Sequence, residues 1–210
     1  MRKGGVQMYR TLLFVGAGYF SGSLLFARYF GRLCCKRDVT AESYDKNPGT
    51  FNAFQYGGFL CGTLTLCGDL LKGFLPVFLY RCGNMRAADM GLAFVLAAPV
   101  FGHILPAFHK FCGGKGIAVS FGCLLGLLPE VRPLLILAFV FLFFSLIVRI
   151  TPNYHRTFFT YLVSVIGMVL LVPDSAVSLG FTLVAALVIC RFLYSPERKE
   201  AYKVGIAWKH

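Results

Sequence analysis

A glycine-rich loop carrying basic residues lies between two apolar runs, at residues 102–120. Three glycines, Gly113, Gly114 and Gly116, surround Lys115, and an apolar run begins directly afterwards at Ile117. Glycine lets the backbone approach an oxyanion closely, and the first turn of a helix presents unpaired amides to the same anion. The loop therefore predicts an anion site at a membrane surface, suited to a phosphorylated lipid precursor.

Two charged residues interrupt a second apolar segment. Asp69 and Lys72 are three residues apart, which places both side chains on one face of a helix. Because an ionised group inside a membrane is costly, such residues mark either a helix–helix contact or a site. Two interpretations follow. The residues form an internal ion pair that locks the helix to its neighbours, or Lys72 draws in a phosphate while Asp69 holds it in place.

Two shorter motifs carry hydrogen-bonding groups. Ser23 follows Gly22 in the first apolar run, where its hydroxyl can bind an anion or bond to its own helix backbone. Gly18 and Gly22 form a small-residue face that favours close helix packing. The spacing Asn47-x-Gly49-x-x-Asn52 places two carboxamides on a turn, which suits a polyol or phosphate but is also ordinary loop chemistry.

The remaining reactive residue types do not indicate a metal site or a cofactor. His103 precedes the lysine-containing loop and His109 lies within it, where a structural role competes with that of a base. No second histidine stands at ligand spacing, no carboxylate cluster is near, and no triad of serine, histidine and aspartate can be assigned. The eight cysteines show no C-x-x-C spacing, which indicates small apolar fillers.

Composition places these residues in an integral membrane protein. The 210 residues are 57% hydrophobic and 14% charged, and the mean hydropathy is +0.69. The apolar runs are long and nearly continuous, which favours an all-α membrane protein, a polytopic bundle of about seven transmembrane helices, over a barrel. The seven candidate spans, within one domain over residues 1–210, are 11–30, 57–80, 88–108, 116–129, 133–150, 157–173 and 175–194. The fourth falls short of the roughly 20 residues needed to cross, so it is tilted, short or re-entrant.

The basic residues indicate orientation. If all seven spans cross, thirteen lysines and arginines lie on one side and six on the other, which places the larger group, the glycine-rich loop included, in the cytoplasm. The larger group consists of Arg32, Lys36, Arg37, Lys46, Lys110, Lys115, Arg149, Arg156, Arg191, Arg198, Lys199, Lys203 and Lys209. Anionic lipid headgroups account for most of the net charge of +12, and no nucleic-acid partner is expected.

Four elements occur along the chain in one order. They are Gly22-Ser23, then Asn47-x-Gly49-x-x-Asn52, then Asp69-x-x-Lys72-Gly73, and then Gly102-His103 followed by Lys110-Phe111-x-Gly113-Gly114-Lys115-Gly116-x-Ala118-x-Ser120. This order resembles the PlsY family of acyl-phosphate-dependent glycerol-3-phosphate acyltransferases. The resemblance implies an enzyme of the bacterial inner membrane, facing the cytoplasm, that transfers a fatty acyl group from acyl phosphate to the 1-hydroxyl of glycerol 3-phosphate.

The resemblance also implies residue roles. Ser23, His103 and Lys115 are expected to be catalytic. The expected substrate-binding residues are Asn47, Gly49, Asn52, Asp69, Lys72, Gly113, Gly114, Gly116 and Ser120. In this hypothesis Lys115 and the loop amides hold one phosphate, and the two carboxamides position the glycerol. An acyl phosphate already carries a good leaving group, so catalysis can rest on orientation and charge stabilisation.

The chain departs from the family pattern at three places. The second motif usually opens with glycine and ends in arginine, whereas this chain has Lys46 and Gln55, and no arginine follows Asp38-Val39. The His-Arg-x-Asn element after the last span is replaced by residues 191–195, Arg-Phe-Leu-Tyr-Ser. Two alternatives therefore stay open: a non-catalytic or altered-substrate relative that binds an acyl or phosphate-bearing lipid, and a transporter.

Overall fold

A computed structural model of the protein describes residues 2–43, 45–83, 89–151, 153–194 and 203–206. Helices dominate it, because a backbone without water must satisfy its own hydrogen bonds. The helices are α1 (Arg2–Gly22), α2 (Phe26–Cys35), α3 (Val39–Glu42), α4 (Thr50–Cys82), α5 (Gly91–Ile104), α6 (Ile117–Leu125), α7 (Arg132–Leu142), α8 (Asn153–Leu171) and α9 (Ser175–Leu193). A 3-10 turn at Ala107–His109, a π-helical turn at Phe143–Ile147 and the strands β1 (Val148–Thr151) and β2 (Lys203–Ile206) complete the described elements.

Five segments of the described chain are long and apolar enough to cross a membrane. They are Gly5–Cys35, Thr50–Cys82, Gly91–His109, Asn153–Leu171 and Ser175–Leu193. They correspond to the first, second, third, sixth and seventh predicted spans, so the all-α membrane fold is confirmed. Arg132–Ile147 is a shorter apolar helix. The exact count of seven stays a prediction.

The fourth predicted span is a short helix. α6 has nine residues, which at about 1.5 Å per residue covers roughly half of the ~30 Å hydrocarbon core. It lies against α4 at very close range, because a Cβ on Gly122 would overlap the Leu70 carbonyl and one on Gly73 would overlap the Val119 carbonyl. The short helix is therefore held against protein, and its first turn stands next to the glycine-rich loop.

The fifth predicted span ends earlier than expected. Hydropathy predicts one helix over residues 133–150, but α7 ends at Leu142, the π-helical turn follows, and β1 begins at Val148. Strand β1 pairs with β2 in antiparallel register, with Val148 opposite Ile206 and Thr151 opposite Lys203. The β-branched residues of β1 favour an extended backbone, and a partner strand from the C-terminal segment supplies the hydrogen bonds. The sequence analysis did not predict this small sheet.

Small residues bring α1 and α5 together, as the Gly18 and Gly22 spacing predicted. A Cβ on Gly18 would lie 3.2 Å from that of Ala98, and one on Gly22 would overlap the Pro99 carbonyl. In return, a Cβ on Gly102 would overlap the Tyr19 carbonyl. α1 ends at Gly22, so the first predicted span is two helices, α1 and α2, separated by residues 23–25.

A polar cluster joins α1, α4 and the residues before α5 at the end of the bundle where α1 begins, opposite the break at residues 23–25. The Gln7 amide donates to Asp89 Oδ2 at 2.7 Å and to the Tyr80 hydroxyl at 3.1 Å. The Arg10 guanidinium donates to the carbonyls of Gly83 and Tyr80. We refer to Gln7, Arg10, Tyr80, Gly83 and Asp89 as the distal cluster. These contacts hold the start of α1 to the end of α4.

α4 contains a sharp bend that the sequence analysis did not predict. Gly58 has φ 79° and ψ −179°, a conformation that is essentially restricted to glycine. The bend lets the Thr50 hydroxyl donate to Asp69 Oδ2 at 3.3 Å, although the two residues are 19 apart in sequence. A straight helix would separate them by roughly 28 Å. The first two turns of α4 therefore fold back beside the rest of the helix.

Candidate active site

A buried group of three residues, which we call the deep group, comprises Asp69, Lys72 and His103. The Lys72 ammonium lies 2.8 Å from Asp69 Oδ1, donates to the Leu24 carbonyl at 2.6 Å, and lies 2.8 Å from His103 Nδ1. The side chains of both ions are only 2% exposed. The ammonium is therefore held by one buried ion pair and by two hydrogen-bond contacts from other parts of the chain.

Lys72 also orients His103. An ammonium can only donate, so His103 Nδ1 accepts and the neutral ring carries its proton on Nε2. Nε2 faces the glycine-rich loop, because a Cβ on Gly114 would overlap it. Only glycine at this position lets the loop pass so close to the ring. The deep group therefore presents an N–H donor to the loop that was predicted to bind phosphate.

Ser23 lies in the break between α1 and α2. Its hydroxyl donates to the Tyr19 carbonyl at 2.9 Å and accepts from the Ala107 amide at 3.2 Å. The side chain is fully buried. The bond to its own helix matches one of the two interpretations of this residue, and its catalytic role stays a prediction. The next residue, Leu24, supplies the carbonyl that holds Lys72.

A second ion pair lies closer to solvent, and we call Asp45 and Lys115 the mouth pair. Lys115 Nζ lies 2.9 Å from Asp45 Oδ2, with the side chains 13% and 12% exposed. Asn52 Nδ2 donates to Asp45 Oδ1 at 2.8 Å and to the Asn47 carbonyl at 2.8 Å. The Asn47 amide also donates to Asp45 Oδ1, at 3.2 Å. Lys115, the Asn52 carboxamide and the Asn47 backbone N–H therefore meet around one carboxylate.

The sequence analysis assigned Asp45 no role. Its side chain accepts from the amide two residues later, which is the Asx-turn pattern of aspartate before a turn, and this was the available signal. Burial by itself would raise the pKa of Asp45. Hydrogen bonds from Lys115 and Asn52, together with the Lys115 charge, outweigh that effect and lower the pKa below its ordinary value of 3.8. Asp45 is therefore ionised at neutral pH.

The glycine-rich loop connects the deep group to the mouth pair. Gly116 precedes α6 with φ 82°, and Arg191 Nη2 donates to the Gly113 carbonyl at 3.1 Å. The Gly114 amide donates to the His103 carbonyl at 3.0 Å. In the described conformation this amide has a backbone partner, and its part in holding a phosphate stays a prediction.

Two other predicted binding residues have mainly local contacts. Ser120 is fully buried, and its hydroxyl donates to the Gly116 carbonyl one turn earlier, at 2.9 Å. A Cβ on Gly49 would lie 2.8 Å from Asn47 Nδ2, so glycine at this position lets that carboxamide pack against the turn. Their part in substrate binding stays a prediction.

An apolar pocket of about 620 Å³ lies between α1, α5 and α9. Its lining includes Tyr19, one turn before Ser23, and Cys190, which precedes Arg191. One end of the pocket thus adjoins residues that contact the glycine-rich loop. Small residues leave the space open, and the lining consists of Val15, Gly16, Tyr19, Phe94, Ala97, Ala98, Phe101, Leu183, Ala186, Leu187 and Cys190.

Some predicted features lie outside the described residues. These are Ser195 of the C-terminal element, Arg198, Lys199 and Lys209 of the larger basic group, Arg86 of the smaller basic group, and the first residue, 88, of the third predicted span. The predicted sites fall within the described part. Together the fold and these residues define an integral membrane helix bundle with cationic and carboxamide groups at one end.

Comparison with known proteins gives the family. Residues 12–199 match the family described as glycerol-3-phosphate acyltransferase. A glycerol-3-phosphate acyltransferase of Cupriavidus taiwanensis is 41% identical over 144 residues, which cover 65% of this chain and 70% of that protein. One from Janthinobacterium is 35% identical and covers 71% of this chain and 79% of the relative. A match in Pseudomonas savastanoi is 39% identical and covers 58% of this chain and 62% of the relative.

The fold is similar to solved structures of PlsY, an integral membrane glycerol 3-phosphate acyltransferase. The glycerol 3-phosphate form has a TM-score of 0.73 at 24% identity, covering 86% of this chain and 87% of that one. The lysophosphatidic acid form has a TM-score of 0.72 with the same identity and coverage. The chain belongs to the glycerol-3-phosphate acyltransferase family, as the order of its motifs predicted.

Proposed function

We propose that this protein transfers a fatty acyl group from acyl phosphate to the 1-hydroxyl of glycerol 3-phosphate, giving lysophosphatidic acid and inorganic phosphate. The observation that carries the proposal is the meeting of Lys115, Asn47 and Asn52 beside the glycine-rich loop, next to the deep group. Four sequence motifs far apart along the chain thus reach one end of the bundle. Family membership supports the same reaction.

The site has the donors that two phosphorylated substrates need. An ammonium and carboxamide N–H groups give charge-assisted or strong hydrogen bonds to phosphate oxygens. The first turn of α6 adds backbone amides and the positive end of the helix dipole. Lys115 lies two residues before α6, so its charge and the dipole act on the same anion.

His103 is suited to a positioning and electrostatic role. Lys72 fixes the ring with its proton on Nε2, and that donor stabilises charge that develops on the acyl carbonyl oxygen or the phosphate. In the reaction the glycerol hydroxyl oxygen forms a bond to the acyl carbon, and the bond from that carbon to the phosphate oxygen breaks. The electron pair leaves with the phosphate, which can also take the hydroxyl proton.

The apolar pocket between α1, α5 and α9 is where we place the acyl chain. It begins one turn from Ser23 and runs along the apolar faces of three helices. Gly16→Leu should fill it, because a Cβ at Gly16 meets nothing within 4 Å. We expect this variant to lose activity with long-chain donors and to keep it with short ones. Ala17→Leu, an exposed neighbour outside the pocket lining, is the matched control. Equal losses at all chain lengths would contradict the placement.

We place the site at the cytoplasmic face of the bacterial inner membrane. The mouth pair lies at the same end as the connections that carry the larger group of basic residues. Lipid bilayer and soluble phosphorylated substrates therefore meet at this end of the bundle. The positive-inside rule supports this orientation.

The test is an assay of the purified full-length chain with glycerol 3-phosphate and either acyl phosphate or acyl-CoA, with products identified by mass spectrometry. We expect lysophosphatidic acid from acyl phosphate and about a hundredfold lower kcat/KM for Lys115→Ala. Binding of both substrates without a product would instead indicate a non-catalytic relative. Flux of an unmodified substrate into sealed vesicles would indicate a transporter.

A further inference from the structure

Asp45 has the contacts that a bound anion would have. Its carboxylate receives hydrogen bonds from the Asn52 carboxamide and the Asn47 amide, and it pairs with the Lys115 ammonium. An ammonium, a carboxamide N–H and a backbone N–H are the usual ligands of a phosphate oxygen. The same three donors include the residues that the proposed function assigns to substrate.

A carboxylate and a phosphate cannot use these donors at once. A second anion next to an ionised Asp45 would meet like-charge repulsion and would lack the Lys115 pairing. The substrate headgroup must therefore displace Asp45 or bind with fewer contacts. The low pKa of Asp45 means that its charge is present throughout the neutral range.

The position of the mouth pair favours a change of ion-pair partner over a permanent structural contact. Its side chains are 12% and 13% exposed, whereas those of Asp69 and Lys72 are 2% exposed. An ion pair with access to water contributes little to folding, so breaking it during binding costs little. Both partners also lie on connections between helices, where displacement does not disturb a helical hydrogen-bond ladder.

We propose that Asp45 is an internal competitor for the anionic headgroup and thereby a specificity-determining residue of this site. This inference rests on the proposed function, since it concerns the same pocket. Asp45 weakens binding of the phosphate group of glycerol 3-phosphate and leaves Lys115 paired between turnovers.

The test compares Asp45→Asn with the wild type and with Glu42→Gln. The carboxamide introduced by Asp45→Asn keeps an oxygen that can accept from the Asn47 amide, while the charge is lost. Glu42→Gln is the matched control, because it removes the same charge three residues away, at the end of α3, where Glu42 lies 3.9 Å from Arg37 and is more exposed. We expect Asp45→Asn to lower the KM for glycerol 3-phosphate about tenfold, and Glu42→Gln to leave it within twofold.

Two results would overturn the inference. One is a KM for glycerol 3-phosphate that is unchanged or raised in Asp45→Asn. The other is an equal decrease in Glu42→Gln, which would indicate a general change in surface potential. If Asp45→Asn fails to fold, Asp45→Ser keeps a short acceptor at this position, and the same decrease in KM is expected.

Failure of the proposed function would be recognised separately. A wild-type chain that makes no product from any donor would refute the acyltransferase reaction. Direct binding of radiolabelled glycerol 3-phosphate to the three detergent-solubilised proteins would still test Asp45. Tighter binding by Asp45→Asn alone supports internal competition, and equal binding by all three refutes it.

Discussion

Two ion pairs of the same chemical type lie close together and differ in their surroundings. Asp69 and Lys72 are buried among α1, α4 and α5, and the ammonium also contacts the Leu24 carbonyl and His103. Asp45 and Lys115 join two connections and have partial access to water. The first pair therefore holds an arrangement of helices, and the second is free to exchange partners.

The difference shows how one protein can place several cations near anionic substrates without binding them all in the same way. The buried Lys72 ammonium is fixed by its contacts with Asp69, Leu24 and His103. It acts on substrate only indirectly, by orienting the His103 ring. An ammonium at the mouth can change its partner from carboxylate to phosphate. The location of a lysine decides which of these it does.

The largest effect is expected from breaking the deep pair. Lys72→Met leaves Asp69 buried without its cation, which should destabilise the fold by about 3–5 kcal/mol. Lys115→Met should cost less than about 1 kcal/mol, because its pair is partly hydrated. Thermal unfolding of both variants in the same detergent measures the difference.

A double variant sharpens this prediction. Asp69→Leu with Lys72→Met removes both charges, and stability should return towards that of the wild type. Activity should not return, because His103 would lack the donor to Nδ1. Equal stability losses in Lys72→Met and Lys115→Met would show that the two pairs do not differ as described.

A smaller effect is expected from the bend that connects the two regions. Gly58→Ala places a side chain at a backbone conformation that only glycine adopts readily, at a cost of about 1–3 kcal/mol. The space is open, since a Cβ meets nothing within 4 Å, so the cost is conformational. Gly5→Ala is the control, because Gly5 lies in open space on a regular helix outside the apolar pocket and the substitution should be neutral or slightly stabilising.

Unfolding temperature and KM for glycerol 3-phosphate should both change in Gly58→Ala. The bend brings Thr50 to Asp69 and carries Asn52 next to the mouth pair, so its loss separates the two regions. A variant with wild-type stability and KM would contradict the importance of this conformation.

The smallest effect concerns pH. The pKa of Asp45 is lowered in the folded state, so its contribution to stability is present above the ordinary pKa of 3.8 and is lost as the pH falls through the folded value. The pair is partly exposed, and the contribution should be at most about 1 kcal/mol. Unfolding temperatures of the wild type and Asp45→Asn should therefore differ slightly near neutral pH.

Acidification provides the check on this prediction. The two unfolding temperatures should converge as the pH falls below the folded pKa of Asp45. A difference that grows on acidification would have the wrong sign for a carboxylate stabilised by Lys115.

Most of the fold could be predicted from the sequence. The apolar helices follow from hydropathy, which depends on residue type alone. The spacing of Asp69 and Lys72 correctly placed both on one face, and Gly18 with Gly22 correctly predicted close packing. The bend at Gly58 could not be predicted, since an isolated glycine in an apolar run has several explanations. The strand that begins at Val148 depends on pairing with a distant segment, and hydropathy contains no information about such pairing.

The site was predictable to a similar degree. The motifs identified the residues that now lie together, because each combined glycine with a charged or amide group. The use of the Gly114 amide by the His103 carbonyl was not predictable, because it depends on how closely two connections approach. The pairing of Asp45 with Lys115 was missed for the same reason, since the two residues come from distant parts of the chain.

The distal cluster holds one end of α1, and close packing on α5 holds the other. Gln7 and Arg10 bind the beginning of α1 to Tyr80, Gly83 and Asp89, and a Cβ on Gly22 would overlap the Pro99 carbonyl. A helix that is fixed at both ends gives the apolar pocket a rigid wall. We therefore expect the length of the fatty chain that fits to be set by the pocket itself, with little adjustment by movement of α1.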